Sequence, residues 1–253
     1  MIETFDLPVP LGRSSEPRKT YVYIPDYAEE GDRFPVLYMF DGHNVFFDSD
    51  ATYGKSWGMN EYLTQTRMPL IVVAVDCNHH RNNGRLREYS PYSMHDSRFG
   101  NIRGQGNKFM QWFSGPCKEV IDARYPTLPD REHTFIAGSS MGGLMAIYAM
   151  IAFPDIYSRA AALSPSVWVN LPAMLSDIGR LGNMDGTVLY MDYGSNELAN
   201  HEDMLDGLER VNHALLQHSI CTTLRIVPGG EHCEACWEEQ LPFFMPLFFY
   251  AHQ

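Results

Sequence analysis

Residues 134–150 read Thr-Phe-Ile-Ala-Gly-Ser-Ser-Met-Gly-Gly-Leu-Met-Ala-Ile-Tyr-Ala-Met. A short apolar run typical of a strand leads into Gly-Ser-Ser-Met-Gly at 138–142, and a longer apolar run typical of a helix follows. A G-x-S-x-G pattern in this setting predicts a sharp turn that holds the serine in a strained conformation with its hydroxyl exposed. The two glycines leave room for so tight a turn. We therefore predict Ser140 as a nucleophile, since Ser139, the competing hydroxyl, occupies the variable position of the pattern.

The rest of the chain alternates short apolar runs with longer amphipathic segments. Several short runs are solidly apolar, as expected for strands of a parallel sheet covered on both faces. The chain has 253 residues, within the range of one large α/β domain, and no linker or repeat divides it. We predict a single three-layer α/β domain over residues 1–253, with a mostly parallel central sheet and helices on both faces. The predicted strands cover residues 20–24, 35–40, 70–75, 134–137, 160–163, 187–193 and 222–227, and the predicted helices cover residues 108–124, 141–153, 201–217 and a segment that begins near residue 233.

The candidate acid follows the predicted strand 187–193. Where a serine nucleophile lies on such a strand–helix turn, its partners follow along the chain as acid and then histidine. Glu197 comes just after the strand and the Gly194 turn, where a carboxylate can accept a hydrogen bond from an imidazole. We choose it over Asp192, which still lies within the strand. The alternative role for Glu197 is a charge at the N-terminus of the following helix.

The candidate base is His232, in the loop directly after the predicted strand 222–227. Other late histidines are placed less well, because His213 and His218 fall on or beside a helix and His252 lies in the terminal tail. The expected task of His232 is to take the Ser140 proton and return it to the leaving alcohol.

An oxyanion hole needs two backbone N–H groups aimed at the developing charge. The first is expected from Met141, directly after the nucleophile. The second is expected from His43, in the loop after strand 35–40, where Gly42 positions the backbone. A second role considered for His43 is a contact between its ring and the substrate.

Charge and composition limit the partners. The formal net charge of −12 disfavours phosphate backbones and anionic lipid heads, so we expect neither a nucleic-acid nor a membrane partner, but a small-molecule ester. The first residues carry acids where a secretory signal carries basic and apolar segments. Five scattered cysteines resemble reduced thiols rather than a disulfide framework. We therefore expect a cytoplasmic location; a leader removed from a longer precursor and a homo-oligomer both stay open.

The Cys233-x-x-Cys236 pair is the one metal- or redox-like motif. A single pair cannot complete a four-ligand zinc site, and no second pair occurs. We interpret it as two reduced thiols on a helical turn and expect no metal and no cofactor.

Several segments together resemble the Putative esterase family of α/β-hydrolases, which includes enterochelin esterases, feruloyl and acetyl-xylan esterases, and esterase D. The resemblance lies in residues 38–46, 85–91, 138–144, 164–166 and 232–237. It implies an α/β-hydrolase fold and hydrolysis of carboxylic esters without metal or organic cofactor. It also places the acid at Glu197, where many relatives carry aspartate.

The resemblance leaves the substrate open. We expect acyl esters of sugars or similar small alcohols. A siderophore esterase is an alternative, for which the arginines of the irregular segment 78–106 would meet an anionic ligand; this segment would face substrate, be a solvated surface excursion or form a mobile lid. Acyl transfer and a non-catalytic binding role also stay open. Trp57, Tyr89 and Trp168 are expected to form walls of an acyl or sugar pocket, with packing inside their loops as the alternative.

Overall fold

The apolar runs form the centre of one sheet in the computed structural model, which describes residues 1–11, 16–197 and 203–249. In this part of the chain the strands are β1 (Ile2–Val9), β2 (Glu16–Tyr23), β3 (Val36–Met39), β4 (Ile71–Val75), β5 (Met94–Asp96), β6 (Gly100–Ile102), β7 (Thr134–Ser139), β8 (Arg159–Leu163), β9 (Val188–Gly194) and β10 (Cys221–Val227). Eight of them lie side by side in the order β1-β2-β4-β3-β7-β8-β9-β10, and β5 pairs with β6 in a separate hairpin. The strands from β4 to β10 in this order are parallel, while β1 and β2 are antiparallel to their neighbours.

The central strands can be apolar along their whole length because both faces of the sheet are covered. Successive side chains of a strand point to opposite faces. In β4, Ile71, Val73 and Val75 join the core on one face, and Val72 and Ala74 join the core on the other. The predicted three-layer, mostly parallel α/β fold is confirmed.

The helices pack on the two faces and supply the rest of the core. They are α1 (Met59–Thr66), α2 (Gly84–Glu88), α3 (Gly106–Trp112), α4 (Lys118–Arg124), α5 (Met141–Ala152), α6 (Leu171–Ile178), α7 (Met204–Leu216), α8 (Glu234–Glu238) and α9 (Leu241–Phe244). A π-helical turn, Phe113–Cys117, joins α3 to α4, so the predicted helix 108–124 is interrupted. All but one of the 12 residues of α5 are buried. The first residues of the predicted helix 201–217 lie outside the described residues, as do Tyr250 and His252.

Aromatic residues near the end of the chain pack on the sheet. The rings of Phe135 in β7 and Phe248 stack with centroids 5.1 Å apart. Within the described residues, no helix combines the length and apolarity needed to cross a membrane.

The sheet determines where a site can form. Parallel strands bring their carboxyl ends to one edge, and ligands bind at that edge in open α/β sheets. The loops after β3, β4, β7, β8, β9 and β10 all begin there.

Candidate active site

Ser140 lies at the turn between β7 and α5. Its backbone has φ 56° and ψ −119°, a conformation that costs a non-glycine residue about 1–3 kcal/mol. The neighbouring glycines allow it, because a Cβ at Gly138 would lie 2.7 Å from the carbonyl carbon of Gly142, and one at Gly142 would lie 3.0 Å from Phe40 Cβ. Residues 138–142 thus form the sharp strand–helix turn that the pattern predicts.

Glu197 and His232 are hydrogen-bonded to each other. The distance from His232 Nδ1 to Glu197 Oε2 is 2.6 Å. Glu197 is 3% exposed, whereas the His232 side chain is 40% exposed. A buried carboxylate at Nδ1 leaves Nε2 as the free ring nitrogen, which is the arrangement that a histidine base needs.

The second carboxylate oxygen of Glu197 is held by the protein. Oε1 accepts hydrogen bonds from the Gly194 N–H at 2.9 Å and from Ser164 Oγ at 2.6 Å. Ser164 Oγ in turn accepts from Trp237 Nε1 at 3.1 Å. This buried chain fixes the carboxylate toward His232. Sequence reasoning missed Ser164 and Trp237 as supports, although both lie in segments that carry the family resemblance.

The loops that carry the acid and the histidine are interlocked. β9 and β10 are parallel neighbours, so their carboxyl ends meet. Gly194 lies so close to Gly230 that a Cβ on Gly194 would be 2.3 Å from the Gly230 oxygen. The Asn196 N–H donates to that same oxygen at 3.0 Å. The strand-end positions inferred from the sequence therefore bring the two side chains together.

Asp192, the rejected acid, has other partners. It is 1% exposed, accepts from Tyr190 Oη at 2.9 Å and faces the Ser164 N–H at 3.2 Å. Burial raises the pKa of Asp192 to about 7.

Ser140 and His232 line the same two cavities. The Ser140 hydroxyl lies 3.4 Å from Ser166 Oγ and, within the described part of the chain, makes no hydrogen bond to His232. Hydrogen bonds between catalytic groups are often long or absent before substrate binds.

The two predicted oxyanion donors lie on neighbouring backbone segments. Met141 is the first residue of α5, where N–H groups have no partner within the helix. His43 lies in a 3-10 turn, Gly42–Asn44, after β3. A Cβ on Gly142 would lie 3.3 Å from Asp41 Oδ2, so the loop before His43 contacts the first turn of α5.

Arg85 fixes the loop before His43. Its Nε and Nη2 donate to Asp41 at 2.6 and 2.7 Å, and Tyr89 Oη accepts from the Asp41 N–H at 3.1 Å. Both residues belong to the segment 78–106, which contains α2 and the β5–β6 hairpin. Part of this segment therefore supports the site, and the sequence showed no sign of the pairing.

The three aromatic residues proposed as pocket walls have different positions. Trp168 lines the cavity of about 320 Å³. Trp57 is 3% exposed and packs against Trp237, with ring centroids 6.0 Å apart, and Tyr89 is fully buried. Neither Trp57 nor Tyr89 lines the two cavities at Ser140. The structure therefore corrects the wall assignment for these two, because the sequence does not show which way a loop aromatic points.

Comparison with known proteins agrees with this architecture. The family model described as Putative esterase matches residues 13–242. The "Uncharacterized protein YbbA" of Bacillus subtilis (strain 168) is 24% identical over 186 residues, which are 71% of this chain and 69% of YbbA.

The fold is shared with many solved structures, among them the following two. An IroE-like serine hydrolase from Shewanella oneidensis has a TM-score of 0.75 and 19% identity, over 99% of this chain and 82% of that one. A ferulic acid esterase has a TM-score of 0.69 and 17% identity, over 98% of this chain and 97% of that one. Because the family model covers most of the chain, the protein belongs to the Putative esterase family of carboxylic-ester hydrolases.

Proposed function

We propose that the protein is a serine esterase that uses Ser140, His232 and Glu197 and an acyl-enzyme intermediate, on acyl esters of sugars or similar small alcohols. The observation that carries the proposal is the 2.6 Å contact between the buried Glu197 carboxylate and His232 Nδ1, at the same cavities as the strained Ser140.

The reaction proceeds in two proton-balanced halves. His232 Nε2 takes the hydroxyl proton while Ser140 Oγ attacks the ester carbonyl, and the N–H groups of Met141 and His43 stabilise the oxyanion. The imidazolium then gives the proton to the departing alkoxide, leaving an acyl-serine. In the second half, water attacks the acyl-serine and gives a proton to His232, which returns it to Ser140 Oγ as the carboxylic acid leaves.

The two cavities suggest how the substrate is divided. The cavity of about 560 Å³ is walled by polar side chains that include Asn44, Asn78 and Arg81, which suits a polyhydroxyl alcohol. The cavity of about 320 Å³ is lined by apolar side chains that include Phe99, Trp168 and Met204, and by Arg85 and Arg98. Its apolar part suits an aromatic or alkyl acyl group. The fold shared with a ferulic acid esterase is consistent with this division.

The siderophore alternative rests on the same larger cavity. Arg81 and the neighbouring His79 and His80 line it and would favour an anionic ligand. Rates on siderophore esters and on feruloylated and acetylated sugars, measured side by side, distinguish the two. Adding competing alcohols and looking for transesterified product tests for acyl transfer.

The decisive experiment compares wild type, Ser140→Ala and Ser139→Ala on p-nitrophenyl esters, with circular dichroism to confirm folding. Ser140→Ala is expected to lose several orders of magnitude in kcat, since it removes the nucleophile. Ser139→Ala is the matched control and is expected to keep activity of the wild-type order. Wild-type activity in Ser140→Ala would refute the mechanism, and inactivity of all three on every ester would favour a binding protein.

A further inference from the structure

A second cluster of chemistry-bearing side chains borders the larger cavity. It consists of His43, Asp76, Cys77 and His79, of which His43, Cys77 and His79 line the cavity. One nitrogen, oxygen or sulfur atom from each of the four lies within 4.8 Å of the others. The proposed ester hydrolysis uses none of these side chains.

The fold brings these residues together at the ends of two neighbouring strands. β3 and β4 are parallel and paired, and Asp76 and Cys77 are the first residues after β4. The turn that carries His43 lies directly on this strand end, because a Cβ at Gly42 would be only 2.6 Å from the Ala74 oxygen. A residue with a side chain at position 42 would push His43 away from Asp76.

The donor atoms are near the spacing of a metal site. His43 Nδ1 lies 2.5 Å from Asp76 Oδ1, and His79 Nε2 lies 2.9 and 3.0 Å from the two carboxylate oxygens of Asp76. Zinc bonds of about 2.0–2.3 Å in a tetrahedron separate ligand atoms by about 3.3–3.8 Å. Shifts of about 1 Å would therefore convert the hydrogen-bonded cluster into a coordination shell.

The surroundings of the cluster suit an ion that enters from the cavity. His43 and Cys77 are buried, whereas the His79 side chain is 60% exposed. His43 Nε2 lies 2.9 Å from Thr52 Oγ1. A hydrogen bond on that nitrogen orients the ring and leaves Nδ1 as the metal-binding atom, which is the usual arrangement around histidine ligands.

We propose that His43, Asp76, Cys77 and His79 bind a divalent transition-metal ion, with zinc favoured by the mixture of imidazole, thiolate and carboxylate. The ion would fix the turn whose His43 N–H we assign to the oxyanion hole. No sequence motif marks this cluster, since its residues come from two separate loops and the C-x-x-C pair lies elsewhere. Only this effect on the oxyanion hole rests on the proposed function; metal binding itself does not.

The test measures metal binding without any assay of activity. Chelator-treated full-length protein is titrated with Zn²⁺ and with Co²⁺, and the metal content is measured after gel filtration. We expect one zinc per chain with sub-micromolar affinity, and a thiolate-to-cobalt charge-transfer band that is lost in Cys77→Ser. His79→Ala is expected to weaken zinc binding by about tenfold or more. His80→Ala, next to it on the same cavity wall, is the matched control and keeps wild-type affinity.

Three results would overturn the proposal. The first is weak or absent zinc binding. The second is equal zinc affinity in wild type and His79→Ala. The third is a charge-transfer band that survives Cys77→Ser and disappears in the Cys233→Ser/Cys236→Ser double variant. Because His79 is largely exposed, His79→Ala decides the matter even if Cys77→Ser fails to fold.

Discussion

Replacing Glu197 by glutamine is a sharp test of the proposed triad, because the surroundings of the carboxylate determine how the amide must lie. Oε1 accepts from the Gly194 N–H at 2.9 Å and from Ser164 Oγ at 2.6 Å. The glutamine oxygen must stay on that side, so its NH₂ group faces His232 Nδ1. Nδ1 must then accept a hydrogen bond, and the ring proton moves to Nε2. In this tautomer His232 cannot take the Ser140 proton.

The size of the effect follows from the two amide orientations. The same wrong tautomer in a serine-protease triad lowers kcat by about 10⁴, or about 5 kcal/mol. The reversed amide restores the tautomer but sets its NH₂ against the Gly194 N–H and the Ser164 O–H, two buried donors whose loss of an acceptor costs about 1–3 kcal/mol each. The combined cost of about 2–6 kcal/mol corresponds to about 30-fold to 10⁴-fold in rate. We therefore expect Glu197→Gln to lower kcat by between about 30-fold and 10⁴-fold.

The assay is steady-state hydrolysis of a p-nitrophenyl ester, with kcat and KM determined separately on variants shown to be folded. Asp192→Asn is the matched control, since Asp192 is buried nearby but contacts Tyr190 and Ser164 rather than His232. It is expected to stay within about tenfold of wild type, the limit of one lost neutral hydrogen bond. Glu197→Gln activity within tenfold of wild type, or an equal loss in Asp192→Asn, would refute the assignment of the acid.

Three further predictions concern the pocket, the buried acid and the turn. Trp168→Ala should raise KM for aromatic acyl esters and leave thermal stability unchanged, whereas Trp57→Ala should lower the free energy of unfolding by about 3–5 kcal/mol; kinetics and urea melts separate these outcomes. Because the folded protein holds the Asp192 proton up to pH about 7 and the unfolded chain releases it near its ordinary pKa, this group makes stability fall, by about 4 kcal/mol, as pH rises between those two values. The unfolding free energy of Asp192→Asn minus that of wild type should therefore be larger at pH 8 than at pH 4. An equal difference at the two pH values would contradict the buried-acid interpretation. Gly142→Ala, whose Cβ would lie 3.0 Å from Phe40 Cβ, should destabilise by about 1–3 kcal/mol, while Gly179→Ala, with contacts of 3.4 Å or more, should be neutral in the same melts.

The parts of the fold that bury both faces were predictable from the sequence. β4 is a run of five buried residues. So long an apolar run predicts a buried strand even when the adjacent strands are unknown. β1 has mostly exposed or half-buried side chains, because it lies at the edge of the sheet, and no apolar run marked it. The helix α6 was missed despite a readable signal, since Asn170 caps it by accepting from the Ala173 N–H and a proline lies in its first turn.

The candidate site was predictable where position along the chain determines position in space. Ser140, Glu197 and His232 each follow a strand, and parallel strands end at one edge. The Asp41–Arg85 pair joins residues 44 apart, and nothing in a single sequence couples two such positions. Side-chain direction in a loop is equally hidden, which is why Trp57 and Trp168 looked alike and differ in the structure.

Backbone strain is concentrated at the strand ends that build the site. Asp41, Ser140 and Ser164 have φ of 54°, 56° and 45°, and they are three of the six non-glycine residues with positive φ among those the structure describes. Each such residue costs about 1–3 kcal/mol and persists only when its surroundings hold it. Arg85 holds Asp41, while Glu197 and Trp237 hold Ser164. Glu197 thus holds both the imidazole and a strained neighbour, so a change at this residue acts on the chemistry and on the backbone that supports it.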